Sequence, residues 1–122
     1  MKILVVEDDP TDLKLLIAVL DASGHQVLGQ PSAEAALAEI RRQQPELIVL
    51  DLRLPGMDGL ALARLLKADS ATRTIPIVAL TAAREIYDRE DALAAGCDAY
   101  LVKPVNTRSF ASQVTDVAAR TR

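Results

Sequence analysis

A single cysteine, Cys97, leaves this 122-residue chain without any internal disulfide or any metal site built on paired cysteines. That economy suits a reducing compartment, and Cys97 itself reads as a small buried residue near a turn. No apolar run approaches the ~18 residues of a membrane span, and Met1-Lys2 leads directly into strand-like sequence instead of a signal peptide. Basic residues are in the minority, with 14 Lys and Arg against 17 Asp and Glu, a net charge of −3 and a pI near 5.1. They are also scattered, which argues against a nucleic-acid surface, since phosphate backbones are bound by concentrated cations. There is no low-complexity tract, no internal repeat, no Pro/Gly/Ser linker and no glycine-rich ATP loop. The one histidine, His25, follows Gly24 in a turn, a poor place for a phosphohistidine relay. The expectation is a soluble, cytoplasmic, single domain over residues 1–122 with no output domain, either standing alone or excised from a longer protein, with no membrane or direct nucleic-acid partner and a monomeric or weakly dimeric state.

Half of the residues are apolar, and they fall in alternating patterns. Residues 2–7 read as a β-branched buried strand. Asp9-Pro10 then supplies a helix cap and first-turn proline, and Leu13, Leu16, Ile17 and Leu20 follow at helical spacing up to Gly24. Gln26–Gln30 is a weaker strand; Pro31-Ser32 opens a helix with Ala33, Ala36, Leu37 and Ile40 on one face. Leu47–Asp51 is a fully apolar strand ending in an acid, and Asp58 caps a helix running to about Ala68. Ile77–Thr81, a charged helix near Arg84–Ala95, strand Ala99–Val102 and a last helix bearing Phe110, Val114 and Val117 complete five strand-helix repeats. Strands apolar at nearly every position need cover on both faces, which predicts an α/β fold with a five-stranded parallel sheet in order 2-1-3-4-5, the flavodoxin-like doubly wound (βα)5 sandwich.

Four of the apolar runs stop at a polar group: Glu7 and Asp8 after KILVV, Asp51 after ELIVL, Thr81 after IPIVAL, Lys103 after AYLV. In a parallel sheet the carboxyl ends of neighbouring strands open into one crevice, so these groups are expected to meet. Carboxylates ~4 Å apart repel by about 4 kcal/mol at an effective dielectric near 20, so three together call for a hard divalent cation. Mg²⁺, or Mn²⁺, suits oxygen ligands that leave positions for water and phosphate. Asp9 and Asp58 are more simply helix caps. Lys103 is placed to neutralise a transferring phosphoryl oxygen, Thr81 to donate to one, and Pro104 makes a cis peptide after Lys103 a candidate.

At these residues the chain resembles the receiver domain of two-component response regulators. The likeness is carried by ILVVEDDP, LIVLDLRLPGMDGL, PIVALTA and GCDAYLVKP taken as a set. The resemblance implies that Asp51 is the phosphorylated residue, that Glu7 and Asp8 bind the metal with Asp51, and that Arg53 does so through its backbone carbonyl. It makes Thr81 the switch hydroxyl, Lys103 the phosphoryl-binding cation and Tyr100 the aromatic that changes rotamer. A histidine kinase or histidine phosphotransfer protein is then the donor, and a downstream protein target reads the surface of the fourth helix, fifth strand and fifth helix.

Two helices carry finer expectations. On the first, Leu15, Ala18, Val19 and Ala22 lie opposite the sheet-facing stripe, an apolar patch with Leu15 and Val19 as the docking candidates for the donor. On the fourth, Glu85 and Arg89 stand in the favourable i, i+4 order over a thin apolar stripe of Ile86 and Leu93. Two rival readings are kept. One is a metal-dependent phosphohydrolase with an aspartyl nucleophile, against which Arg53 stands where a second catalytic acid would be needed. The other is an interaction-only receiver that is never phosphorylated.

Overall fold

The computed structural model describes residues 1–83 and 85–121. Strands β1 (Lys2–Val6), β2 (Gln26–Gln30), β3 (Leu47–Asp51), β4 (Ile77–Thr81) and β5 (Ala99–Val102) alternate with helices α1 (Pro10–Ala22), α2 (Ala33–Arg42), α3 (Gly59–Ala68), α4 (Arg89–Ala94) and α5 (Phe110–Arg120). All strands are parallel in the order β2-β1-β3-β4-β5, the flavodoxin-like arrangement expected from the pattern of buried strands. Among the described residues no helix is long and apolar enough to cross a membrane.

Side chains alternate across a strand, and the two faces of the sheet build two separate cores. Ile3, Val5, Val49, Val78 and Leu80 pack on one side with Leu16 and Leu20 of α1 and Phe110, Val114 and Val117 of α5. Leu4, Val6, Ile48, Leu50 and Ala79 pack on the other with Ala36 and Ile40 of α2, Leu62 and Leu66 of α3 and Ala92 of α4. Every residue of β3 and β4 is buried, which explains runs without polar alternation; each large apolar side chain so placed stabilises the fold by roughly 1.5–3 kcal/mol.

Caps define the helix starts. The Asp9 carboxylate accepts from Thr11 N and Asp12 N, Ser32 from Ala35 N, and Asp58 from Ala61 N. The fourth helix departs from expectation: α4 begins at Arg89, capped by Asp88 accepting from Asp91 N, while Arg84 lies outside the described residues. Ile86 N and Tyr87 N donate to the Ala83 carbonyl in a turn. Glu85 therefore sits before the helix, and the i, i+4 support to Arg89 does not arise; the Asp88 side chain wins the competition for the first free N–H groups. On α1, Val19 is half-buried against the core that α1 shares with α5, so the expected apolar patch contracts to Leu15, 44% exposed, and neighbouring alanines.

Gly59 fixes how the loop after Asp51 returns. Its N–H donates to the Leu52 carbonyl at 2.9 Å, and a Cβ there would lie 2.6 Å from both the Asp51 carbonyl oxygen and the Leu52 Cα. Gly59→Ala is expected to cost about 1–3 kcal/mol of unfolding free energy in chemical denaturation, because neither backbone neighbour can yield without moving β3.

Candidate functional site

The register sets the site. Val6 pairs with Leu50, and Asp51 with Leu80, so β1, β3 and β4 end level with one another and Glu7, Asp51 and Thr81 come to one rim. Lys103 is tied to the same edge, its N–H donating to the Thr81 carbonyl at 2.9 Å. The peptide bond between Lys103 and Pro104 is cis.

There the Lys103 ammonium donates to three carboxylates: Glu7 Oε1, Asp51 Oδ2 at 2.9 Å and Asp12 Oδ2 at 3.2 Å. Asp51 Oδ1 accepts from Arg53 N at 3.0 Å, and Glu7 Oε2 from Asp9 N at 3.1 Å. Thr81 is fully buried, its hydroxyl accepting from Ala83 N at 2.9 Å. Carboxylate oxygens of Glu7, Asp8 and Asp51 lie within 4.8 Å of one another, with Asp8 exposed to solvent. These acids open into a cleft of about 240 Å³ that also meets Asp12, Arg53 and Ala82. Three hard oxygen donors around a partly open space fit a divalent cation that keeps water or phosphate on its remaining positions.

Burial pushes the Glu7 carboxyl up to about 7, with the Asp51 charge adding to it while the Lys103 and Asp9 hydrogen bonds pull the other way. For Lys103, burial alone would lower the ammonium; hydrogen bonds to Glu7 and Asp51 and their charges outweigh it and hold the group above the usual lysine range. One ammonium facing three acids leaves the cluster short of positive charge.

Tyr100 is 7% exposed and points inward. Its hydroxyl donates to the Tyr87 carbonyl at 2.6 Å, and the Arg89 guanidinium lies 5.3 Å from the ring centroid. The sequence reading overlooked Asp12 and Arg89 as partners of these residues. For Asp12 a signal existed: it sits in the first turn of α1, four residues beyond Asp8, and so turns back over the strand ends. For Arg89 none did, since α4 starts later than the sequence pattern implied. Asp9 and Asp58 serve as caps, as read.

Similarity to known proteins agrees with this geometry. The profile of the response regulator receiver domain family matches residues 3–115. The chain is 36% identical over 119 residues to the phosphate regulon transcriptional regulatory protein PhoB of Klebsiella pneumoniae, covering 98% of this chain and 52% of that protein. Over 108 residues it is 35% identical to the polar-differentiation response regulator DivK of Brucella ovis, 88% of each being covered. The crystal structure of a putative response regulator from Chloroflexus aurantiacus superimposes with a TM-score of 0.92 at 34% identity, covering 98% of both chains. Against PhoB and similar transcriptional regulators the chain spans about half of the relative's length.

Glu7 holds its proton more tightly folded, at about 7, than at its ordinary 4.5. The folded state therefore gains from that proton fully below pH 4.5 and loses the gain as the pH rises through about 7. In metal-free buffer the unfolding free energy of wild type is expected to fall over this window relative to Glu7→Gln, whose profile is flatter; urea titrations at stepped pH measure the difference.

Proposed function

The chain belongs to the response regulator receiver domain family, and from that premise we propose that it is a phosphoacceptor switch taking a phosphoryl group onto Asp51 from a phosphohistidine of a histidine kinase or histidine phosphotransfer protein. The observation that carries this reading is the Asp51 carboxylate, 5% exposed and held between the Lys103 ammonium and the Arg53 N–H at the mouth of an acidic cleft. An acid so nearly buried is costly unless it is used.

In the reaction a carboxylate oxygen of Asp51 attacks phosphorus in line with the departing imidazole nitrogen. The new P–O bond forms as the P–N bond breaks, the imidazole leaves neutral with its remaining proton, and the product is an acyl phosphate. Lys103 neutralises charge on the equatorial oxygens, and Thr81 turns its hydroxyl toward one of them. Glu7, Asp8, Asp51 and the Arg53 carbonyl would hold Mg²⁺ or Mn²⁺, which supplies further charge neutralisation and draws the anionic donor to an acidic site. Water later hydrolyses the linkage, so the chain catalyses its own phosphoryl transfer and slow dephosphorylation and turns over no separate substrate.

Movement of Thr81 toward the phosphoryl group couples to Tyr100, and the surface formed by α4, β5 and α5 carries the output to a protein target. Tyr100 is already inward in this structure, and the bond from its hydroxyl to the Tyr87 carbonyl just ahead of α4 ties the ring to that surface. Leu15, with Leu16, Ala82, Pro104 and Val105, lines an open cleft of about 310 Å³ beside Lys103, and we place donor docking at this rim, with Leu15 rather than Val19 as its apolar contact.

Incubation with acetyl phosphate and Mg²⁺ followed by intact-mass measurement is expected to give a single phosphate adduct in wild type and none in Asp51→Asn. An undiminished adduct in Asp51→Asn would refute the acceptor. Lys103→Ala is expected to slow adduct formation on the order of a hundredfold, the effect of losing one preorganised donor to a developing anion.

A further inference from the structure

We propose that Asp12 is a positioning residue that detains the Lys103 ammonium and so restrains phosphoryl uptake from free anionic donors; the inference rests on Asp51 being the phosphoacceptor. An ammonium has three N–H groups, and here each has a carboxylate, on Glu7, Asp51 and Asp12. A phosphoryl oxygen can reach Lys103 only by replacing one of them.

The three are unequal. The Glu7 side chain is 1% exposed and is also fixed by the Asp9 N–H, so releasing it leaves a buried acid short of a partner, which is expensive. Asp51 is the group being phosphorylated. Asp12 makes the longest contact, 3.2 Å, and its side chain is 45% exposed, so water takes over when the ammonium departs and the loss is small. Asp12 is therefore the partner that yields. The same carboxylate borders both the acidic cleft and the apolar cleft carrying Leu15, one turn further along α1. A protein donor with a lysine or arginine beside its phosphohistidine can occupy Asp12 as it docks and free Lys103 in the same step, whereas acetyl phosphate brings no cation and must compete for the ammonium unaided.

The test is the rate of adduct formation with acetyl phosphate at saturating Mg²⁺, read by intact mass, for wild type, Asp12→Asn, Asp12→Ala, and each change combined with Lys103→Gln. Both single Asp12 variants are expected to label about two- to fivefold faster than wild type, the range an exposed ion pair commands. In the Lys103→Gln background, followed at higher donor concentration, the gain is expected to vanish, since Asp12 acts through the ammonium. Equal or slower labelling of the Asp12 variants overturns the inference while leaving Asp51 as acceptor, and so does a gain that persists without Lys103. Failure of wild type itself to label overturns the phosphoacceptor reading and this inference with it.

Discussion

One ammonium shared among three carboxylates organises the functional end of this molecule. Lys103 belongs to β5's far end, Glu7 follows β1, Asp51 closes β3 and Asp12 opens α1, so a single charge draws together four separate parts of the chain. The cluster still carries more negative than positive charge, and burial, with a smaller contribution from the Asp51 charge, raises the Glu7 carboxyl. A site in this condition is primed for cations. On the proposed function, turning Asp51 into an acyl phosphate would hand the lysine a new anionic partner.

The fold makes this concentration of charge tolerable. β3 and β4 are buried along their whole length between two apolar cores, and polar groups accumulate only where the strands run out. Gly59 brings the start of α3 against the Asp51 backbone, so Asp51 stands on a closely packed segment. By contrast α4 is six residues long and contributes one buried side chain, Ala92. Tyr100 bridges these regimes: it lies in the core cluster of α2, α3 and α4, yet its hydroxyl is fastened to the Tyr87 carbonyl in the segment leading into α4. A closely packed Asp51 segment beside a lightly anchored α4 is the combination that the proposed phosphorylation-driven surface change would use.

The strand ends show why so much of the site was readable in advance. An apolar run that stops at Asp51 or Lys103 signals both a strand and a group held at its carboxyl end, and the parallel topology then needs no further information to bring such groups to one rim. Asp12 escaped notice because its role depends on the direction in which α1 leaves β1, to which hydrophobic periodicity is blind. The late start of α4 escaped because a run of charged residues looks helical throughout, while the cap at Asp88 is decided by local N–H competition. Val19 was misjudged for a related reason: helical spacing gives the angle between α1 residues, but α5 packing beside α1 decides which of those angles meet solvent.

By itself, then, the sequence determined the elements, their parallel order and the identity of the residues at the strand ends, because periodicity and apolar continuity are local properties summed along the chain. Only the tertiary structure decided that Lys103 spends its three hydrogen bonds on Glu7, Asp51 and Asp12, that Glu7 is buried enough to keep a proton near neutrality, and that Tyr100 lies inward under Arg89. Those outcomes depend on distances of a few ångströms and on exclusion of water, quantities that exist only once separate elements have packed against one another.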